Sequence, residues 1–173
     1  MNSKKKSQFI EYFINGIKTP NNLKIGVEQE KFLFTKDNHK RIDYKTLQKL
    51  FENLKKFGWE AVLEKNNIIG LKRNKQQITT EPGLQIELSG EPLENIHKVC
   101  SESSNYLEEL TQASKSLNIF SASIGFDPYN SISQIPLNPK ERYKIMTSEM
   151  PKGGELSLDM MYRTCGIQIN YDY

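Results

Sequence analysis

The hydrophobic periodicity of this 173-residue chain predicts an α+β fold: a largely antiparallel sheet covered by helices. Three observations carry that prediction. Segments of helical and strand period follow one another as helix, strand, helix, several strands, long helix, strand, short helix, strand. The middle strands are separated by short polar turns, as hairpins require. Two of the helical segments carry an apolar stripe broad enough to cover a sheet. The length suits one domain with a real core.

Taken in order, Phe9, Ile10, Phe13 and Ile17 fall at helical spacing over 7–17, closing near Gly16. This reads as a short amphipathic packing helix. After the Pro20-Asn21-Asn22 turn, Ile25 to Phe34 reads as a strand. Side chains alternate along a strand, so Glu28 and Glu30 share one face, with Cα atoms roughly 6.6 Å apart. Carboxylates at that separation can converge on one hard cation or hold two. The alternative is two ordinary surface glutamates. Phe32 and Phe34 continue the same face and argue against a solvated one. Asp37 to Lys40 is a polar turn that leaves His39 in solvent. Asp43 reads as the N-cap of a helix whose stripe is Tyr44, Leu47, Leu50, Phe51, Leu54 and Phe57, ended by Gly58.

The middle of the chain is rich in strands: Asn67–Leu71, Gln76–Thr80, and an alternating run from Leu84 to Ser89. Leu84, Ile86 and Leu88 form the apolar face of that run; Gln85, Glu87 and Ser89 form the other. Glu81 precedes the Pro82-Gly83 turn. Glu81 and Glu87 are thus further carboxylates the sheet could present, although each alone reads as an exposed acid. Pro92 opens the longest helix, with Leu93, Ile96, Cys100, Ser103, Leu107, Leu110, Ser114 and Leu117 as its covering stripe. Cys100 on that stripe reads as an inert buried thiol. Ile119–Phe126 is a further strand, and 127–139 a loop long enough to be functional. Asn138 caps a short helix over 139–146, broken by Pro151-Lys152-Gly153-Gly154. From Met160 to Tyr171 the chain alternates as a last strand. Thr164, Gln168 and Asn170 give it a hydrogen-bonding face that needs partners, either solvent or a ligand.

Composition excludes several classes. Lys+Arg 24 against Asp+Glu 21 is too balanced to imply nucleic acid. No apolar run approaches a membrane span and no signal-peptide core follows the Lys4-Lys5-Lys6 run, so a cytoplasmic protein without a membrane partner is expected. Two cysteines make no disulfide framework, and two isolated histidines make no zinc spacing. Neither GxxxxGK[ST] nor GxGxxG occurs, and no Ser/His/Asp or Cys/His arrangement stands out. If the protein is an enzyme, cation-assisted chemistry fits better than nucleophilic chemistry.

Four segments carry a resemblance. Ile25-Gly-Val-Glu-Gln-Glu-Lys-Phe, Asn67-Ile-Ile-Gly-Leu-Lys, the run from Glu81-Pro-Gly-Leu-Gln-Ile-Glu-Leu to Glu94, and Leu158-Asp-Met-Met-Tyr-Arg-Thr-Cys are similar to glutamate–cysteine ligase of the plant and proteobacterial type. They occur in that family's order and spacing, from about Phe9 onward. The resemblance implies a sheet like that of glutamine synthetase and an ATP-dependent ligation. ATP phosphorylates the γ-carboxylate of glutamate, and the amine of cysteine attacks the acyl phosphate. This is the first step of glutathione biosynthesis. The implied partners are glutamate, cysteine and ATP, and the implied cofactor is Mg²⁺. The motifs imply metal ligands at Glu28, Glu30, Glu81 and Glu87, with Glu28 and Glu30 the firmer pair. They imply a phosphate contact at Lys72. They imply substrate contacts at Met161, Arg163 and Thr164, with Gln168 and Asn170 as further candidates. One regular strand cannot aim Met161, Arg163 and Thr164 at one ligand, so either the strand bulges or some of them only support the site.

The chain departs from the family pattern in four places. Gln29 replaces a His, Leu84 replaces a Gly, and Asn130-Ser131-Ile132-Ser133 replaces a basic segment. Family members also continue well past the match to Tyr173. Residues 1–173 are therefore expected to be the N-terminal part of a single catalytic domain, with little or no activity alone and a missing C-terminal half as partner. The alternatives are a non-catalytic remnant or split half of such a ligase, or a related carboxylate–amine ligase with another amine acceptor. Cys100 resembles a family redox cysteine whose partner would lie beyond this chain, and it is read as a free thiol.

Overall fold

The computed structural model describes residues 3–173. Its elements are α1 (Ser3–Gly16), β1 (Ile25–Thr35), α2 (Tyr44–Leu54), β2 (Glu60–Glu64), β3 (Asn67–Arg73), β4 (Gln76–Thr80), β5 (Ile86–Ser89), α3 (Ile96–Ser114), β6 (Ile119–Ala122), α4 (Glu141–Glu149), α5 (Ser157–Arg163) and β7 (Ile167–Tyr171). All seven strands pair antiparallel in one sheet, in the order β2-β3-β4-β5-β1-β6. Strand β7 joins β1 at residues 25–29, while β6 joins it at residues 32–35. One edge of β1 thus faces β5, and the other is divided between β7 and β6. The α+β expectation holds.

Helices α2 and α3 cover one face of the sheet. Asp43 caps α2 by accepting from Thr46 N–H at 2.8 Å, and Leu47, Leu50, Phe51 and Leu54 are buried against the sheet. A single 3₁₀ turn follows, and Gly58 ends it at φ +85°, the left-handed cap. The main core joins these residues to Leu33, Trp59, Leu71, Ile78, Leu84, Ile86, Leu88, Tyr106, Leu110 and Ile119.

On α3 the buried residues are Val99, Glu102, Tyr106, Leu110, Ala113 and Ser114, so the expected stripe holds at Leu110 and Ser114 but not at Ile96, Cys100 and Leu107. Those three are exposed. The helix begins four residues later than Pro92 suggests, with Asn95 as cap, because Leu93 is paired to Ile25. Glu102 is tolerated inside because its carboxylate accepts from Gln76 Nε2 at 2.7 Å and Glu91 N–H at 2.9 Å. Cys100 is therefore an exposed thiol.

Several further expectations are corrected. The side chains of α1 are not packed: Phe9, Ile10, Tyr12 and Phe13 are at least half exposed. Strand β2 was not foreseen. Strand β5 begins at Ile86, since Leu84 lies in the preceding turn at φ +61°. Strand β6 ends at Ala122, short of Phe126. Asn138 does not cap α4, which starts after Lys140. The largest change is at the end. Residues 157–163 are helix α5, and only 167–171 form a strand. Leu158, Met161 and Tyr162 fall at i, i+3 and i+4, which is helical spacing rather than alternation. They pack with Ile135, Ile132, Met146 and Met150 in a second, smaller core.

That second core is fastened to the sheet by a buried ion pair. Arg41 Nη1 lies 3.3 Å from Asp127 Oδ2, and neither side chain has meaningful exposure. Arg41 also donates to the Tyr162 and Gly83 carbonyls and stacks over Phe32 at 4.4 Å. Asp127 in turn accepts from the Tyr129 and Asn130 N–H groups at 3.0 Å each. We expect Asp127→Ala to destabilise the chain by about 3–5 kcal/mol, because Arg41 is then buried without its counter-charge. The double variant Arg41→Met/Asp127→Ala should recover part of that loss. Urea unfolding measures both; a single-variant cost under about 1 kcal/mol, the surface-pair range, would refute the role.

Candidate active site

The face of the sheet away from α2 and α3 carries the polar side chains. Register fixes which of them meet. Glu30 lies directly opposite Glu87, and Thr79 opposite Glu87 on the other side. Glu81 follows β4, where Glu81 N–H donates to Gln85 O and Leu84 N–H donates to Glu81 O. This is a tight hairpin turn whose Pro82 and Gly83 lead to a left-handed residue at Leu84. The turn swings Glu81 back over the sheet. Carboxylate oxygens of Glu30, Glu81 and Glu87 lie within 4.8 Å of one another, all half-buried.

Glu28 is not in that trio. It sits one row along, opposite Ser89 and Gln168, and accepts from Asn170 Nδ2 at 3.3 Å. The firmer sequence pair, Glu28 and Glu30, is thus divided: Glu30 joins Glu81 and Glu87, which sequence ranked below them. Lys72 is on the same row as Glu28 but two strands beyond β5, exposed and 3.5 Å from Glu60. The structure does not gather it with the trio.

Three carboxylates this close repel one another. Burial first, then the Glu87 charge, raises Glu81 to about 7. Burial also raises Glu30, against the lowering effect of the Gly166 N–H, which donates to Glu30 Oε2 at 2.7 Å. Ser89 donates to Glu87 Oε1 at 2.8 Å. Behind Glu81 stands a clamp from the segment before α4. Lys140 Nζ and Tyr143 Oη donate to the Thr80 carbonyl at 2.8 and 2.9 Å, and Asn138 Nδ2 donates to Thr80 Oγ1 at 2.8 Å and to the Glu81 carbonyl at 3.0 Å. Burial lowers the Lys140 ammonium to about 8, and the charges of Glu81 and Glu87 hold it up.

The predicted substrate residues separate into two groups. Gln168 and Asn170 lie on β7 on the Glu28 face, and Gln168 Nε2 donates to Asn170 Oδ1 at 3.0 Å. Met161, Arg163 and Thr164 belong to α5 and its end, so the expected conflict of strand faces does not arise. Met161 is buried in the second core. Arg163 pairs with Asp159 at 2.7 Å, donates to the Asp127 carbonyl at 2.9 Å and lies over Phe126 at 4.4 Å. Thr164 Oγ1 donates to the Met160 carbonyl, and its own carbonyl accepts from Gln85 Nε2 at 3.0 Å.

Beside the trio a cleft of about 320 Å³ opens where β6 ends and β7 begins. It is lined by Gln29, Glu30, Lys31, Ser123, Ile124, Gly125, Cys165, Gly166 and Ile167. Sequence reasoning passed over Lys31. It is 7% exposed, and Nζ donates to Ser123 Oγ at 2.8 Å. Burial lowers its ammonium and raises the Cys165 thiol, which is therefore neutral. Arg41, Asn138, Lys140 and Tyr143 were missed as well. The one signal for Lys31 was a lysine in the apolar register of β1, between Val27 and Leu33.

Residues 24–173 match the profile of glutamate-cysteine ligase family 2 (GCS2). Over 169 residues, 97% of the chain, it is 43% identical to the chloroplastic glutamate–cysteine ligase A of Oryza sativa subsp. japonica, 34% of whose length is covered. It is 42% identical to the chloroplastic glutamate–cysteine ligase of Medicago truncatula, 33% covered, and 41% identical to that of Arabidopsis thaliana, 32% covered, over the same 97% of this chain. The chain spans about a third of the length of these curated relatives. Their chloroplastic setting overturns the cytoplasmic expectation, which rested only on the absence of an apolar leader. The match over 24–173, which takes in the strands and the turn that bring Glu30, Glu81 and Glu87 together, makes this chain a member of glutamate-cysteine ligase family 2.

Proposed function

We propose that the chain is the N-terminal part of the catalytic domain of a plastid enzyme that joins the γ-carboxylate of L-glutamate to the amine of L-cysteine at the expense of ATP, the first step of glutathione biosynthesis. The observation that carries this reading is the trio Glu30, Glu81 and Glu87 on the open sheet face of a chain in this family. Its three half-buried hard oxygen donors suit Mg²⁺ better than a soft metal. Glu30, Glu81 and Glu87 would hold the ion, with Glu28 at the periphery; the ion would neutralise charge during phosphoryl transfer.

The remaining roles belong to the chain's own residues. Asn138, Lys140 and Tyr143 hold the Thr80–Glu81 carbonyls and so fix where Glu81 projects. Gln168 and Asn170 offer amide groups on the same face, beside Glu28, and suit substrate contacts. Met161 and Arg163 act in support, because the first is packed and the terminal nitrogens of the second are held by Asp159 and the Asp127 carbonyl. Thr164 stands where α5 gives way to the cleft. Lys72 fits a peripheral phosphate contact at most, given its distance across the sheet. The gathering of all three carboxylates favours a ligase over a non-catalytic remnant, since like charges this close repel and a remnant gains nothing from that repulsion.

Mn²⁺ in place of Mg²⁺ tests the trio directly. We expect paramagnetic broadening of amides around Glu30, Glu81 and Glu87. Glu87→Gln should weaken binding about ten-fold or more, and Glu28→Gln by less than about three-fold, as for a ligand against a peripheral residue. Equal effects of both variants would refute the assignment.

The same site predicts a pH dependence. Glu81 titrates higher in the folded chain, at about 7, than its ordinary 4.5. The folded state therefore binds the extra proton between those values. Stability from this group is full below about pH 4.5 and is lost as pH rises through 7. After allowance for solvent screening the loss is on the order of 1–2 kcal/mol. Metal-free chain should melt lower at pH 7.5 than at pH 5, with Mg²⁺ opposing the fall and Glu81→Gln flattening it. A wild-type melting temperature that rises over this interval would contradict the sign.

A further inference from the structure

Lys31 poses a question the proposed chemistry does not answer. A buried ammonium is costly unless it is paired. Among the described residues no carboxylate forms an ion pair with Lys31, and its hydrogen bond runs to the neutral Ser123 hydroxyl. Of the other titratable groups lining the cleft, Cys165 is a neutral thiol, and Glu30 leaves β1 on the opposite face and is tied to Gly166 N–H. The ammonium has two further donor positions and borders a cleft of about 320 Å³.

We propose that Lys31 and Ser123, in the cleft between β6 and β7, form a binding site for the carboxylate of an amino-acid substrate. This rests on the ligase reading for which amino acid is meant, glutamate or cysteine, but not for the existence of the site. The chemistry of the walls selects a carboxylate over a phosphate. A phosphate calls for several charges or a cradle of free amides. Here there is one ammonium, and the nearby amides are already committed: Gly166 N–H to Glu30 and Cys165 N–H to Gly125 O. Ile124 and Ile167 supply apolar walls for an aliphatic side chain. The cleft crosses the edge of β1, so a ligand held at Lys31 extends toward Glu30 and the carboxylate trio.

The test is a ¹H–¹⁵N titration of the chain, without metal or nucleotide, with L-glutamate, L-cysteine or inorganic phosphate. We expect L-glutamate or L-cysteine to shift the Ser123, Gly125 and Gly166 amides, the responding one naming the source of the carboxylate. Lys31→Met should weaken that binding roughly 10- to 100-fold, the range for a lost charge-assisted hydrogen bond. Lys31→Arg should restore part of it. Ligand-free Lys31→Met should also melt higher than the parent, since an uncompensated buried charge is gone. The site is refuted if neither amino acid shifts those amides, if phosphate binds there more tightly, if Lys31→Met binds as the parent does, or if Lys31→Met melts lower. Failure of the Mn²⁺ experiment with the amino-acid shifts intact would instead remove the ligase reading and leave this site standing.

Discussion

The buried pair of Arg41 and Asp127 is the constraint on which the site depends. Arg41 reaches four parts of the chain from one guanidinium: the Phe32 ring of β1, the Gly83 carbonyl of the hairpin turn, the Tyr162 carbonyl of α5, and Asp127 itself. Asp127 then organises the segment that follows it through Tyr129 and Asn130 N–H. Removing two charges from water costs several kcal/mol each, which only close pairing and further hydrogen bonds offset. Each arm of the network is therefore needed by the others. Its structural consequence is to hold the second core over one end of the open face. Glu28 and Glu30 are left on the stretch of β1 that the second core does not cover, with Glu87 beside them on β5.

The turn that carries Glu81 shows a related compromise. The hairpin turn requires a left-handed residue at position 84, where glycine is at ease and leucine stands instead. Leucine at φ +61° carries a backbone penalty of about 1–2 kcal/mol. Its side chain is buried in the main core, and that burial contributes about 1.5–3 kcal/mol. The two terms are comparable, so the substitution is tolerable without altering the turn. Gly83 cannot make the same exchange, because a Cβ there would stand 2.7 Å from the Tyr162 carbonyl. The geometry of Glu81 thus depends on a close backbone approach at one residue and on side-chain packing at the next.

What sequence shows of this protein follows from how locally each feature is determined. Strand β1, the Asp43 cap, α2 and its Gly58 end are set by neighbours within a few residues, and they are where the pattern puts them. The stripe on α3 was misread because two stripes compete, and the buried one includes Glu102, whose partners Gln76 and Glu91 lie far from it in sequence. Residues 157–163 carry a helical spacing at Leu158, Met161 and Tyr162 that the alternation read from Met160 passed over, and the second core buries that face. The four carboxylates were legible as a set. Their grouping was not, since Glu30 meets Glu87 through strand register and Glu81 through a turn, neither of which one strand's alternation can rank. Arg41 and Lys140 gave no local sign, being basic residues beside polar turns.

The division of one edge of β1 between two strands joins these points. Had β6 run on, the edge would be sealed and Lys31 would face a strand with no anion to meet it. Instead β6 stops at Ala122, and β7 begins only after α5 has returned the chain to the sheet. The Phe126–Thr164 bridge and the Cys165 N–H to Gly125 O bond close the far side of the gap. The opening is bounded by the same connection that Arg163 and Asp127 hold in place. Two neighbouring residues of one strand, Glu30 and Lys31, then reach its two sides with opposite charge. Alternation along a β-strand, which makes Glu28 and Glu30 neighbours on one face, also sends the intervening register to the other face, and the gap in the edge is what lets both registers line one cleft.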